Sequence, residues 1–297
     1  MSHAPDFNPL AGPYRWMERL TFGPFLARCR FAFLDQAKSC RQALVLGDGD
    51  GRFTARLLRA NPHIHIHAID ASSAMLKALT RRAGPHAARL RTHQADARDW
   101  DPAIISGAPG LDSEIRKTRK ANPGKSLGAP EPVLSLSRDP SHLGTGDSPI
   151  DLIATHFFLD CLTTEEIHSL ATRLSPTLSP NAFWIVSEFA IPPGWYGRLV
   201  ARPLIAALYR AFALLTGLTV RTLPDHPAAL RAAGFTLIER RPRLAGLLVS
   251  ELWSKSPPGR PEPAQTGHSL LRNCYSRVKI RPSGANRPAA TPPDTPL

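Results

Sequence analysis

The chain has 297 residues, of which 30 are Pro and 20 are Gly, and it carries a formal net charge of +13. Hydrophobic residues account for 42% of the sequence, which is enough for a substantial core. The proportion of Pro is about twice that of ordinary proteins. Because Pro cannot lie inside helices or central strands, this excess excludes a chain that folds evenly along its length.

The Pro residues are concentrated in two segments that lack the apolar periodicity of helices and strands. Residues 102–149 contain seven Pro and no aromatic residue, and residues 255–297 contain nine Pro and one aromatic residue. Neither segment has enough apolar surface to offset the conformational entropy that is lost on folding. We therefore predict one folded domain over residues 1–254, with a disordered insertion at 102–149 and a disordered tail, rich in Pro and Arg, at 255–297.

The rest of the chain alternates between apolar runs and helical patterns. Short apolar runs predict strands at residues 43–46, 64–69, 90–95, 151–155, 183–188, 235–239 and 247–253. Apolar residues at helical spacing predict helices at residues 14–38, 51–58, 72–83, 164–174, 195–216 and 227–233. The predicted fold is α/β, a doubly wound, mostly parallel seven-stranded sheet with helices on both faces and a C-terminal antiparallel hairpin.

A glycine-rich turn follows the first predicted strand and leads into a helix. It contains Gly47, Gly49 and Gly51, and glycine at such a turn lets the backbone bend sharply and lie against a ligand. The spacing alone also fits an ordinary turn. The position between a buried strand and a helix favours a nucleotide-binding role.

Two further acids lie where the second and third predicted strands end. Asp70 can accept hydrogen bonds from both hydroxyls of a ribose, although its place before Ser72 also fits a helix cap. Asp96 can accept from the exocyclic amine of adenine while the Ala97 N–H donates to a ring nitrogen, the alternative being an ordinary acid in a surface loop. Since carboxyl ends of parallel strands share one edge of the sheet, together they predict an adenosine-type pocket.

The turn itself indicates which nucleotide is bound. Asp48 and Asp50 place negative charge inside it, and its third glycine comes one residue earlier than in the Gly-x-Gly-x-x-Gly pattern of dinucleotide sites. Two acids repel a diphosphate but tolerate a sulfonium and an ammonium group. The turn therefore favours S-adenosylmethionine over NAD.

At this point the sequence resembles the class I S-adenosylmethionine-dependent methyltransferases, a Rossmann-like family, over about residues 14–101 and 150–253. The matching runs are Leu44–Gly51, Ile69–Leu76, Asp96–Ala97, Asp151–Asp160 and Ala232–Phe235. The resemblance implies the family's fold and S-adenosylmethionine as cofactor. The sequence departs from the family at Val45, because the family usually has an acid there that helps to hold the cofactor. Asp48 or Asp50 would take over that role.

The resemblance also implies which residues contact the cofactor. The three glycines would line its methionine part, Asp70 the ribose and Asp96 with Ala97 the adenine, near which Met75 would pack. The complete set of candidates is Tyr14, Gly47, Asp48, Gly49, Asp50, Gly51, Asp70, Ala71, Met75, Asp96, Ala97 and Thr155. For Tyr14 and Met75, ordinary packing is the alternative.

His156 and Asp160 are the candidate catalytic residues, because they are titratable groups that leave the fourth strand toward the expected methyl position. Methyl transfer from a sulfonium depends mainly on positioning, and a general base is needed only when the acceptor must lose a proton. We expect His156 to orient the acceptor or to remove its proton. A half-buried structural histidine is the equal alternative.

Other features bear on partners and location. His63, His65 and His67 form a straight row on one strand, so no metal site is predicted. The widely spaced Cys residues and the absence of a secretory pattern predict a cytoplasmic protein with reduced thiols. Arg202 and Arg210 argue against a transmembrane segment in the most apolar stretch, whose mixture of apolar and basic residues leaves peripheral membrane contact open.

The predicted function is transfer of a methyl group from S-adenosylmethionine to a small-molecule acceptor, lipophilic or quinone-like in character. One alternative is a non-catalytic regulatory protein that binds the cofactor, which Val45 favours. A weaker alternative is an RNA or DNA methyltransferase, which the sequence pI of about 10.3 favours. The arginines are scattered, however, and the Asn/Asp-Pro-Pro-aromatic motif of amino-methylating nucleic-acid enzymes is replaced by Thr155-His-Phe-Phe158.

Overall fold

The computed structural model describes residues 22–102, 105, 148–216 and 220–255. Tyr14, almost all of the insertion at 102–149 and the tail from residue 256 onward lie outside the described residues. The predictions for those parts of the chain stay predictions.

Within the described ranges the elements alternate along the chain. The strands are β1 (Gln42–Leu46), β2 (His65–Asp70), β3 (Leu90–Gln94), β4 (Ile150–His156), β5 (Leu178–Phe189), β6 (Phe235–Arg243) and β7 (Leu248–Lys255). The helices are α1 (Phe25–Arg30), α2 (Leu34–Ala37), α3 (Arg52–Ala60), α4 (Ser73–Ala83), α5 (Thr164–Leu174), α6 (Arg202–Thr216) and α7 (His226–Ala232). A π-helical turn, Gly197–Ala201, leads directly into α6.

All seven strands form one sheet in the order β3-β2-β1-β4-β5-β7-β6. The first five strands are parallel to their neighbours, whereas β7 is antiparallel to both β5 and β6. The predicted α/β fold, a doubly wound sheet with a C-terminal antiparallel hairpin, is confirmed.

Alternate side chains of the central strands enter two separate cores. In β1, Leu44 and Leu46 pack with α5 and α7 on one face, while Ala43 and Val45 pack with α3 on the other. This alternation follows from the two-residue period of a strand. Val45 is therefore a core residue of the sheet.

Several boundaries differ from the sequence prediction. The described part of the helix predicted at 14–38 is two short helices, because the chain turns after Arg30 and buries Phe33 completely. β5 begins at Leu178, and β6 continues through Pro242 to Arg243. The Pro is tolerated because β6 is an edge strand, where a missing N–H breaks no interior ladder. Lys255, predicted to open the tail, is the last residue of β7.

Within the described residues, one helix is long and apolar enough, by length and composition, to cross a membrane. It runs from Gly197 to Thr216, and its most apolar window has a mean hydropathy of 1.5. The helix lies along the domain: Ala201, Ile205 and Tyr209 pack into a third core with α1 and the start of β7.

Candidate functional site

The site predicted from the sequence lies where the strand order reverses. β1 has β2 on one side and β4 on the other, and a reversal of strand order of this kind is where ligands bind to open parallel sheets. The ends of the neighbouring strands are aligned there: the Gly47 N–H donates to the Ile69 carbonyl at 2.9 Å, and the Ala95 N–H donates to the Asp70 carbonyl at 3.2 Å. The predicted glycines and acids are thereby brought to one edge of the sheet.

The glycine turn requires glycine for two separate physical reasons. Gly47 and Gly51 have φ angles of +62° and +78°, which side-chain-bearing residues rarely adopt. A Cβ at Gly47 would lie 2.2 Å from the ring of Phe158, and a Cβ at Gly51 would lie 2.7 Å from the Leu79 Cα. The turn is therefore held between the loop after β4 and helix α4.

Asp48 caps helix α3 from within the turn. Its Oδ2 accepts a hydrogen bond from the Thr54 N–H at 2.8 Å, and its Oδ1 accepts one from the Phe53 N–H at 3.3 Å. Burial raises the pKa of Asp48, while the charge of Arg30 and these N–H donors lower it. Because the carboxylate already occupies these N-terminal donors of α3, the helix end is not open to a phosphate group.

Asp50 is neutralised by two guanidinium groups. Its carboxylate lies 2.6 Å from Arg82 Nη2 and 3.1 Å from Arg52 Nε, and its carbonyl accepts from Arg82 Nε at 2.7 Å. Asp48 and Asp50 were both predicted to bind the cofactor. In the structure both carboxylates hold the turn together, and contact of these two residues with the cofactor stays a prediction.

Asp70 ends β2 beside the turn. Its carboxylate accepts from the Ser72 N–H at 2.8 Å and also from the Gly49 N–H. Burial raises the pKa of Asp70 to about 6, although these two donors lower it. Ala71 is exposed, and Met75 is buried beneath Gly49. The hydrogen bonds between Asp70 and a ribose stay a prediction. Met75 lies directly under the glycine turn.

Asp96 and Ala97 follow β3, as predicted, but both have partners within the protein. The Asp96 carboxylate is paired with Arg98, with Arg98 Nη2 at 2.8 Å and Arg98 Nε at 3.0 Å. Burial opposes ionisation of Asp96, but the hydrogen bonds and charge of Arg98 outweigh it and lower its pKa. The Ala97 carbonyl accepts from Arg173 Nη2 of α5 at 2.9 Å. Arg173 thus fixes the loop that the sequence assigns to adenine.

Thr155 is fully buried, and its hydroxyl oxygen accepts from Trp184 Nε1 at 3.0 Å. Although it was predicted to contact the cofactor, its side chain points into the core between β4 and β5. The register explains this orientation: Thr155 pairs with Leu46, whose side chain enters the same core.

His156, the last residue of β4, is buried with a defined tautomer. Its Nδ1 lies 3.0 Å from Ser187 Oγ, and Ser187 donates its own proton to the Cys29 carbonyl at 3.1 Å. Ser187 Oγ can therefore only accept from His156, which places the proton on Nδ1 and leaves Nε2 as an acceptor. That Nε2 is buried without a hydrogen-bond partner in the described part of the chain. Burial and the charge of Arg30 hold the pKa of His156 well below its usual value, so the ring is neutral.

Glu188 of β5 holds the loop that follows β4. Its Oε1 accepts from the N–H groups of Phe158 and Leu159 at 3.0 and 2.8 Å. Burial raises the pKa of Glu188 well above its usual range, and the neighbouring Asp160 raises it further. The loop after β4 is therefore anchored to a carboxyl group that its burial makes harder to ionise.

Asp160 lies in the same loop, and helix α6 contacts it. The Tyr209 hydroxyl donates to the Asp160 carbonyl at 2.9 Å, and the Cys161 thiol donates to its carboxylate at 3.5 Å. Burial raises the pKa of Asp160. The two predicted catalytic residues are thus on separate sides of the β4 end: His156 faces Phe53 and Ser187, while Asp160 faces Glu188 and α6.

Three residues that the sequence patterns did not single out also shape the site. Arg30 is a buried cation whose charge acts on both Asp48 and His156. Glu188 could have been suspected, since it is a single acid in an apolar strand. Arg173 gives no local signal, because its partner Ala97 is far away in the sequence. Among the described residues no group of three His, Cys, Asp or Glu is arranged to hold a metal ion.

Comparison with known proteins agrees with this geometry. A protein-family model described as a methyltransferase domain matches residues 43–105, which run from β1 past the end of β3. A search of curated proteins gives no match.

Solved structures with similar folds include several methyltransferases. An O-methyltransferase family protein from Burkholderia thailandensis superposes with a TM-score of 0.51 at 12% identity, covering 85% of this chain and 64% of that one. The S-adenosylmethionine-dependent methyltransferase SibL gives 0.50 at 18% identity, with coverages of 82% and 57%. The mitomycin 7-O-methyltransferase MmcR gives 0.52 at 11% identity, again with 82% and 57%. The chain therefore spans about three fifths of the length of the structures that it matches.

The fold is that of the class I methyltransferases, and the resemblance predicted from the glycine turn is confirmed by the methyltransferase-domain match over residues 43–105. S-adenosylmethionine is the cofactor that this match implies.

Replacement of Asp48 tests its role as a helix cap. Asp48→Ala leaves two buried N–H donors without an acceptor, and we expect it to lower the free energy of unfolding by about 1–3 kcal/mol. Asp35→Ala removes an exposed acid and should change it by less than about 0.5 kcal/mol. Urea unfolding followed by circular dichroism measures both. Equal stability of the two variants would show that Asp48 is not a structural cap.

The neutral state of His156 predicts a pH dependence of stability. Because its pKa is lowered in the folded state, the unfolded chain binds an extra proton below about pH 6.5, and the free energy of unfolding falls with a slope of up to about 1.4 kcal/mol per pH unit. His156→Gln should remove that contribution, so its stability should approach that of the wild type as the pH is lowered. His63→Gln, at an exposed position, should retain the wild-type slope. A His156→Gln profile parallel to that of the wild type would contradict the assignment.

Proposed function

We propose that the chain is an S-adenosylmethionine-dependent methyltransferase whose acceptor is a lipophilic, quinone-like small molecule. The proposal rests on the arrangement of the glycine turn that follows β1. Asp48 fills the N-terminus of α3, so the crevice lacks the helix-end anion site of dinucleotide folds while keeping its glycines and the acid at the end of β2.

The residues around the crevice fit this cofactor. Asp70 has carboxylate lone pairs beside the turn for two ribose hydroxyls, and Met75 supplies an apolar floor under Gly49. Arg30, buried near Asp48 and His156, supplies positive charge that suits the carboxylate of a methionyl group. When bound, the cofactor supplies an electrophilic methyl group on a sulfonium.

The acceptor side is aromatic. Phe157, which follows β4 with a φ of +56°, lies 5.4 Å from Phe189 between ring centroids, and Phe22 lies 5.2 Å from Phe189. Planar apolar molecules bind well against such rings.

His156 contributes by accepting a hydrogen bond. Its Nε2 is buried and has no partner among the described residues, so an acceptor hydroxyl reaches this lone pair only by displacing the side chains that cover it, while the contact between Nδ1 and Ser187 holds the ring. A histidine whose pKa lies well below its ordinary value is a weak base, which favours orientation of the acceptor over removal of its proton.

Titration calorimetry with S-adenosylhomocysteine tests the cofactor site. Asp70→Asn should weaken binding about 10- to 100-fold, because an amide replaces a carboxylate that accepts two hydrogen bonds. Since the pKa of Asp70 is about 6, the wild-type affinity should also fall on acidification from about pH 7.5 to about pH 5, and the variant should show little such change. Asp35→Asn, which changes the same charge at an exposed position, is the control. Failure of the wild type to bind at any pH removes the proposal.

Turnover separates an enzyme from a cofactor-binding regulator. The wild type should form S-adenosylhomocysteine from S-adenosylmethionine with an alkyl-substituted hydroquinone, and less with a sulfonated analogue, because the aromatic wall excludes charge. His156→Ala should lower the rate by about tenfold or more while retaining cofactor affinity. Intact cofactor binding without turnover on any phenol or hydroquinone would favour the regulatory alternative, and undiminished turnover of His156→Ala would exclude its role.

A further inference from the structure

Helix α6 and the residues before it leave large apolar side chains in water. Trp195, Leu199 and Leu214 are 68%, 72% and 88% exposed, and Val200 and Leu215 are also exposed. We call these five exposed residues the outer face. Only 22% of the most apolar window of this helix is buried, whereas the core helix of a soluble domain would be mostly buried. Exposed apolar groups on this scale mark a surface that has a partner.

The opposite side of the same helix is fixed to the domain. Ile205 and Tyr209 are buried, and the Tyr209 hydroxyl is bound to the Asp160 carbonyl. Withdrawal of the helix into a bilayer would expose this third core and break that hydrogen bond. The helix is therefore held parallel to the protein surface, with the outer face directed away from it.

The charge around the outer face indicates what the partner is. Between Phe189 and Pro224 the chain has four Arg and no Asp or Glu. All four Arg, at positions 198, 202, 210 and 221, are exposed. Exposed Trp and Leu flanked by Arg are the combination with which an interfacial helix binds an anionic lipid surface.

The positive charge around the outer face makes two other binding partners unfavourable. A second copy of this face would bring eight Arg together across a symmetric interface, and like charges in contact destabilise it. Residues 256–297 carry six basic and two acidic side chains, so they too would be repelled.

We propose that the protein docks peripherally on anionic bilayers through the outer face, with helix α6 lying in the plane of the interface. Docking itself does not depend on methyl transfer. One consequence rests on the proposed function: since α6 holds the loop after β4 through Tyr209, docking would bring the acceptor side of the crevice next to the lipid phase, from which a lipophilic acceptor can enter.

Co-sedimentation of the full chain with vesicles tests the proposal. The wild type should bind vesicles of phosphatidylcholine mixed with phosphatidylglycerol and bind poorly to phosphatidylcholine alone. The double variant Leu199→Ser with Leu214→Ser should lose about tenfold or more in partitioning for each Leu that inserts. Arg198→Gln with Arg202→Gln should lose about fivefold for each charge at low salt. Ile238→Ser, at a 49% exposed apolar residue on β6, is the matched control and should bind like the wild type.

Tryptophan fluorescence measures insertion of the outer face into the bilayer directly. Trp195 is 68% exposed whereas Trp100, Trp184 and Trp253 are buried. In a Trp16→Phe background, which removes the tryptophan that lies outside the described residues, fluorescence should shift to shorter wavelength on addition of anionic vesicles, and Trp195→Phe should abolish the shift. Vesicle binding that survives the double Leu substitution would assign the affinity to basic charge elsewhere and overturn the proposal. So would a wild-type dimer that the Leu substitutions dissociate, which would assign the outer face to self-association. Affinity for S-adenosylhomocysteine, measured on the same variants, should be unchanged and reports on the cofactor site separately.

Discussion

The carboxylate of Asp48 at the N-terminus of α3 is the constraint on which the rest of the site depends. It connects the end of β1 to the first turn of the following helix, and it fixes the path of the glycine turn between them. With these donors occupied, the crevice has acids and apolar surface where a dinucleotide fold would offer an anion site. Arg30 also acts on this carboxylate, since its charge lowers the pKa of Asp48.

A second set of interactions defines the opposite wall. Glu188 accepts two backbone N–H groups of the loop after β4, and Tyr209 binds a carbonyl of the same loop. The loop is thus held from β5 and from α6 at once, although neither element is near it in sequence. This arrangement joins the loop after β4 to the helix that carries the exposed apolar surface.

The sequence was sufficient for the order of strands and helices, because buried parallel strands and amphipathic helices leave strong local patterns. It also located the glycine turn and the acids after β2 and β3. It could not identify the partners of individual side chains. In the sequence Asp48 and Asp50 look like acids that face a ligand, and only the structure shows that Asp48 binds the end of α3 and Asp50 binds Arg82. Thr155 looked accessible for the same reason, since only the register with Leu46 turns it into the core. Tertiary contacts of this kind have no local signature.

The extended edge strand β6 has a consequence for how the molecule associates. An unpaired strand edge is a template for addition of further strands, and such edges are commonly protected by charge or by Pro. In β6 the run from Glu239 to Arg243 supplies both, with Pro242 lacking an N–H at the outer rim. At the other rim, β3 presents the polar residues Arg91, Thr92 and Gln94. Both rims of the sheet therefore discourage polymerisation through backbone pairing, which leaves side-chain surfaces to determine with what this protein associates.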